Sequence, residues 1–482
     1  MPSPENRLRI LQVSTLDVAG GAEKVALSLF QSCRSLGHRS WLVVGRRRSA
    51  EPGILQMPNE SCRNRWAKAC HVGERRLQPL AGRVRGASRA QGLLRVAADP
   101  LRWLGEVRGH EDFGFPGTRR LLELTPERPT IVHCHNLHGA YFDLRTLPRL
   151  SGQVPVVLTL HDAWLLSGHC AHSYDCERWT TGCGHCPDLT MYQSIRQDAT
   201  AYNWRRKQQI FGGSRLYVAT PSQWLMEKVK QSMLAPAVME ARVIHNGVDL
   251  SVFRPASRSS IRAGLGIPQD TMMLLFTANG IRRNRYKDYH TLRTVVARVA
   301  ERVDRQRVLL VALGEDSPTE QVGRAELRFI PYQKDSAVVA RYYQAADIYV
   351  HAARAEVWGL TITEALACGT PVVATAVGGI PEQIQEARTG FLVPPGDAGS
   401  MAEAVVALLK DESLRTCMGR NAAQDARQRF DLKRQVDDYI AWYYEISTKW
   451  HGAGETESGR RRRGAESRGS FDGTAPRAEA GP

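Results

Sequence analysis

The amino-acid sequence predicts an α/β protein built from two Rossmann-like, doubly wound domains that face each other across a cleft. One observation is length, because 482 residues exceed what a single hydrophobic core usually supports. Another is a series of short apolar runs that alternate with helical patterns in both halves of the chain. The predicted strands are residues 8–14, 130–135, 154–160 and 216–220 in the first half, and 272–277, 308–313, 327–332, 347–351 and 371–375 in the second.

The chain divides where its pattern and composition change. We expect a first domain over residues 1–245, a second over residues 246–430 and a final helix over residues 431–451. Residues 452–482 are rich in Gly, Arg, Glu, Ala and Ser, and their one large apolar residue is Phe471. Such a segment buries too little apolar surface to fold alone, which predicts a disordered tail.

Composition limits the class of protein. An apolar content of 43% is ordinary for a globular chain, whereas a net charge of +16 is strongly basic. A positive charge of this size is compatible with binding to nucleic acid, to an anionic membrane surface or to a phosphorylated substrate, and it does not distinguish among these partners. No run approaches the roughly 20 apolar residues that span a bilayer, and residues 1–7 lack the apolar core of a secretory signal. We therefore expect a cytoplasmic protein.

The most basic ordered-looking segment is residues 46–110, which hold fourteen Lys or Arg against five Asp or Glu. Trp66 and Trp103 are interleaved with these charges. Apolar residues and arginines alternate over residues 93–104, a composition suited to peripheral contact with the anionic inner face of the cytoplasmic membrane. Pro100 must interrupt any single long helix there. The alternative is an insertion packed on the first domain, with its arginines solvated.

A strand-turn-helix unit opens the chain. The strand at residues 8–14 leads through Gly20 and Gly21 to a helical run that ends at Leu36. The two glycines let the backbone approach a ligand closely. Their spacing is not the G-x-G-x-x-G fingerprint of dinucleotide binding, so a nicotinamide-dependent dehydrogenase is disfavoured. Structural glycines in a tight turn are the alternative.

His161 and Asp162 directly follow the predicted strand that ends at Leu160. Ligands of open α/β sheets bind at the carboxyl ends of the strands, so His161 is the candidate cleft histidine. The alternative for a lone histidine is a packed side chain with a backbone hydrogen bond.

Two carboxylates, Glu356 and Glu364, stand eight residues apart around a glycine-containing turn between two predicted strands. The amides of Gly359 and Leu360 would open a short helix here, and a helix N-terminus attracts a diphosphate. Glu364 lies about one helical turn further on, where it is placed to accept hydrogen bonds from ribose hydroxyls while Glu356 faces a sugar. The pattern predicts a nucleotide-sugar site; two solvated helix glutamates are the alternative.

Residues 356–364 resemble the E-x7-E signature of the retaining glycosyltransferases of family 4, and the likeness continues on both sides. Residues 374–382 and 389–397 resemble later turns of that family, and residues 245–249 resemble its interdomain passage. Together these motifs cover most of residues 240–440.

The resemblance implies a GT-B fold, in which the first domain binds the acceptor and the second binds a nucleotide-diphosphate sugar. Gly20 and Gly21 would lie at the cleft between acceptor and donor, and His161 would contact the transferred sugar near the reacting centre. Glu356 would orient that sugar as well. The resemblance further implies that catalysis requires no cofactor, and that the final helix crosses back toward the first domain.

Members of the family typically carry an arginine and a lysine that neutralise the departing nucleoside diphosphate. Lys287 matches the lysine, but Ile281 stands at the usual arginine position and Asp288 stands where the family often has glycine. Arg282 or Arg283 would supply the second charge after a shift of one or two residues.

Four of the ten cysteines fall within the segment 169–186. Such density in a reducing cytosol argues for a metal, and the spacing of Cys183 and Cys186 is that of structural zinc sites. Cys170 and Cys176 would complete four ligands, unless a histidine replaces one of them. Inert buried thiols are the alternative. The candidate histidines are His169, His172 and His185.

The function predicted from these residues is transfer of a sugar to a polysaccharide or lipid-linked oligosaccharide in bacterial-type envelope or exopolysaccharide biosynthesis. Two other functions are compatible with the pattern: a nucleotide-sugar 2-epimerase of the same fold, and a non-catalytic relative that binds a membrane or nucleic acid. Neither RNA-binding aromatic signatures nor a helix-turn-helix pattern is present, so specific binding of nucleic acid is disfavoured.

Overall fold

The computed structural model describes residues 7–18, 20–303 and 307–466, with side chains up to residue 450. Seven strands form the first sheet: β1 (Arg9–Leu16), β2 (Arg39–Arg46), β3 (Ile54–Gln56), β4 (Ile131–Cys134), β5 (Val156–Thr159), β6 (Leu216–Thr220) and β7 (Val238–Val243). They lie in the order β3-β2-β1-β4-β5-β6-β7, and every pair is parallel.

Seven more strands form the second sheet: β8 (Met272–Thr277), β9 (Val308–Leu313), β10 (Glu320–Val322), β11 (Ala325–Ile330), β12 (Ile348–His351), β13 (Val372–Thr375) and β14 (Gly390–Val393). Their order is β10-β11-β9-β8-β12-β13-β14. Only β10, at the edge, runs antiparallel to its neighbour.

Helices connect the strands. They are α1 (Gly21–Ser35), α2 (Arg65–Leu77), α3 (Ala87–Ala98), α4 (Pro100–Val107), α5 (Leu147–Ser151), α6 (Thr200–Gly212), α7 (Gln223–Lys230), α8 (Arg258–Leu265), α9 (Tyr289–Arg302), α10 (Ser336–Ala345), α11 (Leu360–Ala367), α12 (Ile380–Gln383), α13 (Ala398–Lys410), α14 (Glu412–Arg429) and α15 (Leu432–Glu466). In the described part of the chain, none of them is both long and apolar enough to cross a bilayer.

The strands are buried because most are nearly continuous apolar runs, as parallel strands covered on both faces must be. Every residue of β9, β12 and β13 is buried. The predicted fold class, two doubly wound α/β domains, is confirmed by the two sheets. As Pro100 requires, α3 ends before it and α4 begins at it.

Five strands, β2, β3, β7, β10 and β14, have no counterpart among the predicted ones. Three of them are short, and β7 is an edge strand whose residues are half-buried or exposed. These short or edge strands lack the continuous apolar run that marks a central parallel strand; the explanation does not extend to β2, which contains such a run at residues 41–44.

The final helix begins at Leu432 and runs to Glu466. The predicted end at residue 451 is therefore corrected, because residues 452–466 belong to the helix and not to a disordered tail. This stretch contains three Glu and four Arg, which favour helix, and no proline, although its four Gly oppose helix. The rest of the predicted tail, residues 467–482, lies outside the described residues.

α15 packs against the first sheet rather than the second. Tyr439, Trp442 and Tyr443 are buried in one cluster with residues of β1 and α1. The Tyr443 hydroxyl lies 2.5 Å from His133 Nδ1, and the Tyr439 hydroxyl lies 2.8 Å from Thr159 Oγ1. The last helix thus completes the core of the domain at the opposite end of the chain.

Each sheet has one point at which its strand order reverses, between β1 and β4 in the first sheet and between β8 and β12 in the second. A crevice forms there, outside the carboxyl ends of the strands. The segments that leave these strands carry most of the side chains that the sequence singles out.

Candidate active site

Three polar side chains form a hydrogen-bonded row at the carboxyl edge of the first sheet. Gln12 Oε1 lies 3.0 Å from His135 Nε2, and His135 Nδ1 lies 3.0 Å from His161 Nε2. Burial lowers the pKa of His161 to about 4, so its imidazole is neutral at neutral pH. His161, the predicted cleft histidine, is therefore a fixed, uncharged group.

A second pair, His138 and Asp162, lies beside this row. His138 Nε2 is 2.6 Å from Asp162 Oδ2. Burial opposes a charge on His138, but the carboxylate of Asp162 raises the pKa of that imidazole above its ordinary value. Burial likewise opposes ionisation of Asp162, yet His138 lowers the pKa of that carboxyl. The two shifts favour the charged forms of both groups. No sequence motif pointed to His138; the one signal is that Asp162, at a strand end, needs a cationic partner.

The predicted glycine turn brings the first domain against the second. Gly20 has a φ of +86°, and a Cβ there would stand 2.1 Å from the carboxylate of Glu23. A Cβ on Gly21 would lie 3.5 Å from Leu360, the first residue of α11 in the second domain. Burial raises the pKa of Glu23, and the carboxyl group lies within electrostatic reach of His138 and Asp162. The turn and the helix after it therefore belong to the same crevice as the histidines.

At the carboxyl edge of the second sheet, Lys287 joins two groups. Its Nζ lies 2.5 Å from Glu356 Oε2 and 3.1 Å from Nε2 of His351, the last residue of β12. Burial alone would raise the pKa of Glu356, but the charge of Lys287 brings it well below its ordinary value. Burial and the same lysine lower the pKa of His351 to about 4, so a neutral imidazole accepts a hydrogen bond from the ammonium group.

A pair of glycines fixes the backbone of Glu356. A Cβ on Gly378, whose φ is +56°, would stand 1.8 Å from the Glu356 carbonyl oxygen, and one on Gly379 would stand 2.1 Å from the Val357 oxygen. The Gly379 amide donates to the Glu356 oxygen over 3.1 Å. Only residues without a side chain allow this approach, which explains the glycine pair in the family-like segment 374–382.

Glu364 is buried within α11 and has partners from both domains. Its Oε1 accepts a hydrogen bond from Lys24 Nζ of α1 over 2.7 Å, and its Oε2 accepts one from the Tyr343 hydroxyl over 3.0 Å. The predicted ribose-binding carboxylate thus pairs with a half-exposed lysine across the domain boundary. Because Lys24 remains in contact with solvent, it can leave Glu364 when a ligand with hydroxyl groups takes its place.

Two predictions about the donor site are corrected. Arg282 does not join Lys287; it forms an ion pair with Glu320, and its guanidinium lies 4.8 Å from the ring centre of Phe329. The amide of Gly359 is not free for a diphosphate, because it donates to Gln383 Oε1 over 3.0 Å. The assignments of Arg283, which is exposed, and Leu360 remain predictions.

The four cysteines of the predicted zinc site lie in one loop as half-buried free thiols. Cys183 Sγ accepts a hydrogen bond from the Gly168 amide, whereas Cys186 Sγ lies 3.3 Å from His169 Nε2. Among residues 7–18, 20–303 and 307–466, no three His, Cys, Asp or Glu side chains are placed to hold one metal ion. Within these described residues, Cys170, Cys176, Cys183 and Cys186 are therefore not arranged as the predicted zinc site.

This loop reaches the second domain instead. The Tyr174 hydroxyl donates to the Arg285 carbonyl oxygen over 3.3 Å, and Arg285 Nη1 donates to Thr190 Oγ1 over 2.7 Å. Arg285 also pairs with Asp188. The cysteine-containing loop thus holds the segment that carries Lys287, two residues further on.

A cavity of about 280 Å³ opens next to His138. Its walls include Trp164 and, from α4, Arg102 and Glu106. Glu111 also lines it; this side chain is buried, and its Oε2 has no hydrogen-bond partner among the described residues. An unpaired buried acceptor favours a ligand that donates a hydrogen bond.

The other oxygen of Glu111 belongs to a buried network that supports the histidine segment. Lys207 is fully buried, and its Nζ donates to Glu111 Oε1 over 2.9 Å, to the Trp164 oxygen over 2.9 Å and to the Ser167 oxygen over 3.0 Å. Trp164 Nε1 donates to the same Glu111 oxygen over 2.6 Å. One ammonium group therefore fixes the chain just after His161 and Asp162.

Two family models match the chain over these elements. Residues 19–252 match the model described as Glycosyltransferase Family 4, and residues 257–425 match the model described as Glycosyl transferases group 1. The chain belongs to glycosyltransferase family 4. The predicted resemblance is thereby confirmed, and it extends to the first domain.

A curated relative of this family 4 protein is D-inositol 3-phosphate glycosyltransferase of Saccharomonospora viridis. The two are 34% identical over 225 residues, which take in 44% of this chain and 51% of that protein. The chain spans about half the length of the curated relatives it matches.

Solved structures show the same fold. Sucrose-phosphate synthase from Thermosynechococcus elongatus has a TM-score of 0.59 at 18% identity and covers 92% of this chain and 100% of its own. HepE from Anabaena in complex with UDP-glucose has a TM-score of 0.57 at 17% identity and covers 91% of this chain and 100% of its own. At these identities the likeness concerns the fold, and it confirms the GT-B architecture of the family 4 protein.

Proposed function

We propose that this protein transfers a sugar, with retention of its anomeric configuration, from a nucleoside-diphosphate sugar to a polysaccharide or a lipid-linked oligosaccharide. The observation that carries the proposal is the pairing of Lys287 with Glu356 at the switch point of the second sheet. A cation and a carboxylate at that edge suit a diphosphate and a sugar that are bound side by side. The relative is named a glycosyltransferase, and HepE holds UDP-glucose in a related fold.

The donor would be held by charge and by hydroxyl recognition. Lys287 supplies the positive charge that a departing diphosphate needs, and Glu364 offers two carboxylate oxygens to ribose hydroxyls once Lys24 moves away. Arg282 faces Glu320, so it contributes no charge beside Lys287. We therefore assign the larger share of leaving-group stabilisation to Lys287.

Retention would proceed without a nucleophilic carboxylate. Glu356 is held by Lys287, and its lowered pKa makes it a stable anion rather than a proton donor. Its place beside the lysine suits hydrogen bonds to sugar hydroxyls, as does the neutral His161 on the opposite side of the crevice. The leaving phosphate would accept the proton of the acceptor hydroxyl on the same face of the sugar.

The acceptor would enter through the cavity beside His138. That cavity offers the aromatic surface of Trp164, the charged groups of α4 and the unpaired oxygen of Glu111. Apolar ring faces and dispersed hydrogen-bonding groups are what a sugar unit requires. These features support a glycan acceptor, and a role in envelope or exopolysaccharide biosynthesis would follow from an acceptor of that kind.

A donor screen tests the proposal. Purified protein is heated in the presence of UDP-, GDP- and ADP-linked sugars, with and without EDTA, and the release of nucleoside diphosphate is followed. Selective stabilisation by one donor, with slow release that EDTA does not change, is expected. Formation of a free epimer would favour an epimerase, and a protein that responds to no donor would be a binding protein; either result contradicts the proposal.

Glu364→Ala is expected to weaken donor binding by about 10- to 100-fold, because two hydrogen bonds to a charged group are lost. The fold should persist with some loss of stability, since Lys24 is half-exposed but the buried Tyr343 hydroxyl loses its acceptor. Donor affinity is measured by calorimetry, and thermal unfolding checks the fold. The matched control is Glu403→Ala, which removes an exposed glutamate of α13 in the same domain. Equal donor affinity in Glu364→Ala and wild type would reject the ribose-binding role.

A further inference from the structure

Helices α2, α3 and α4 form a projection of the first domain with almost no apolar core of its own. The apolar side chains buried within these helices are small: Ala67, Cys70, Ala87 and Ala98. Large apolar side chains point outward instead, with exposed fractions of 65% for Trp66, 71% for Leu93 and 81% for Leu101. A surface that is only solvated would not show this distribution, because large apolar side chains exposed to water contribute no packing within the chain.

Exposed side chains follow one face of α3. Arg89, Leu93 and Ala97 follow each other at intervals of one helical turn along α3, and all three are exposed. Trp66 Nε1 donates to the Ala97 carbonyl oxygen over 2.8 Å, so its ring lies at the end of this row. Leu101 follows at the start of α4. We call these five residues the docking face.

The surroundings of the docking face are positively charged. Arg75 and Arg95 have carboxylate partners, Glu60 and Glu74. Within the described residues, the other six cations of α2, α3 and the loop between them have no ion-pair partner. They are Arg65, Lys68, Arg76, Arg83, Arg85 and Arg89.

We propose that the docking face binds the surface of an anionic lipid bilayer, with Trp66, Leu93 and Leu101 entering the headgroup region. Unpaired cations around exposed apolar side chains complement such a surface, which attracts basic residues and accepts apolar ones. A second copy of the chain would bring like charges together. Nucleic acid would engage the cations but would leave the aliphatic side chains of Leu93 and Leu101 in water.

The placement of α4 gives this surface a consequence for the acceptor. Leu101 belongs to the docking face, while Arg102 and Glu106 of the same helix line the cavity beside His138. A protein docked through this face therefore holds the cavity next to the membrane. This consequence rests on the proposed function and favours an acceptor carried by a lipid over a free polysaccharide.

Vesicle binding tests the docking face without any assay of activity. The full chain is sedimented with vesicles of phosphatidylcholine alone, or with about half of it replaced by phosphatidylglycerol, at about 0.1 M and about 0.5 M salt. Binding to the anionic vesicles is expected to be at least tenfold stronger, and to weaken at high salt. The variant Arg83→Gln/Arg85→Gln/Arg89→Gln and the variant Leu93→Ser/Leu101→Ser should each bind at least tenfold more weakly.

Matched controls are available. Arg324→Gln/Arg420→Gln/Arg427→Gln removes three exposed arginines elsewhere, and Met239→Ser/Tyr332→Ser removes two half-exposed apolar side chains. Both controls should bind like wild type. Equal binding to the two kinds of vesicle would overturn the proposal. So would tighter binding to RNA that the same arginine substitutions abolish, or a dimer in solution that Leu93→Ser/Leu101→Ser dissociates.

A second, independent observation concerns His172 in the cysteine-containing loop. Its Nδ1 accepts a hydrogen bond from the Tyr174 amide over 3.0 Å, so the ring proton is on Nε2. The ring lies parallel to Trp224, with centroids 5.4 Å apart. Nε2 is buried and has no partner among the described residues. His172 also lies within electrostatic reach of both Glu356 and Asp162, on opposite sides of the crevice.

The geometry points to a substrate contact: His172 Nε2–H donates a hydrogen bond to an oxygen of the bound sugar donor. A buried N–H group without an acceptor destabilises the protein, and an oxygen of a bound ligand would accept its hydrogen bond. The inference rests on the proposed function, since it assigns a contact within the same site. It also explains why the loop is held against Arg285, beside the segment that carries Lys287.

Two substitutions of His172 distinguish the role of its Nδ1 atom from that of its Nε2 atom. His172→Asn keeps an acceptor near the Nδ1 position and loses the Nε2 donor, whereas His172→Gln places an amide donor near Nε2. We expect kcat/KM for the donor to fall at least tenfold in the first variant and to be largely restored in the second. His185→Asn, at an exposed position of the same loop, is the control and should match wild type.

Thermal unfolding distinguishes the alternatives. A structural role for His172 predicts that both variants lose stability and activity together, and that result would overturn the inference, as would full activity in His172→Asn. If the proposed function itself were wrong, the wild-type protein would turn over no sugar donor, a result that differs from both outcomes for His172.

Discussion

Lys287→Ala is expected to lower kcat for sugar transfer by about 10²- to 10³-fold, which is what removal of one preorganised group at a developing negative charge typically costs. Lys287 lies 2.5 Å from Glu356 at the edge where the diphosphate would depart. Its loss removes the positive charge and also the partner that lowers the pKa of Glu356. Initial rates with saturating donor measure the effect.

Lys334→Ala is the control, because Lys334 is an exposed lysine of the same domain. Lys287→Arg keeps the charge but changes its shape, and it should recover part of the lost rate. Thermal unfolding shows whether each variant is folded. If Lys287→Ala kept the wild-type kcat in a folded protein, Lys287 would have no role in leaving-group departure.

Lys207→Met is expected to lower the free energy of unfolding by about 3–5 kcal/mol, because it removes one partner of a buried ion pair. The substitution leaves Glu111 buried without its counter-charge, and it leaves the carbonyl oxygens of Trp164 and Ser167 without the donor they share. Burial raises the pKa of Glu111, so the carboxylate would take up a proton when Lys207 is lost. Denaturation by urea measures the change.

The double variant Lys207→Met/Glu111→Gln removes both charges and should be more stable than Lys207→Met alone, since no unpaired charge remains in the core. Lys433→Met, which breaks an exposed pair with Asp437 on α15, is the matched control and should unfold like wild type. A stability of Lys207→Met equal to that of the control would show that the network does not hold the segment after His161.

The sequence predicted the central strands well because parallel strands covered on both faces must be apolar throughout, and runs such as β9 and β12 are visible without any knowledge of their neighbours. An edge strand such as β7 lacks this signal, since one side of it meets solvent. The final helix was predicted to start where it does, but its end depended on a stretch whose composition suits both a helix and a tail.

The position of His161 was predictable because the residue directly follows a strand, whereas Lys287 and Glu356 were singled out by their resemblance to family motifs; the roles of all three stay predictions. Residues that depend on loop partners were not predictable. His138 enters the crevice through a pair with Asp162, 24 residues away. Arg282 pairs with Glu320, the first residue of β10, and no local sequence pattern indicates that partner.

The same limit applies to backbone groups and to ligand sets. The Gly359 amide is taken by Gln383, which lies 24 residues further along the chain. The cysteine spacing suggested a zinc site, but spacing does not determine where each sulfur atom points. Both depend on packing between segments that are distant in the sequence, which no local pattern of residues indicates.

The position of α15 in the first domain has a consequence for how the chain is made. Tyr439, Trp442 and Tyr443 fill the space against β1 and α1, so the first domain to leave the ribosome lacks part of its interior until almost the whole chain has been synthesised. Domains usually fold in the order of their synthesis. We therefore expect the first domain to reach its final packing only after α15 has been synthesised, although most of its residues precede those of the second domain.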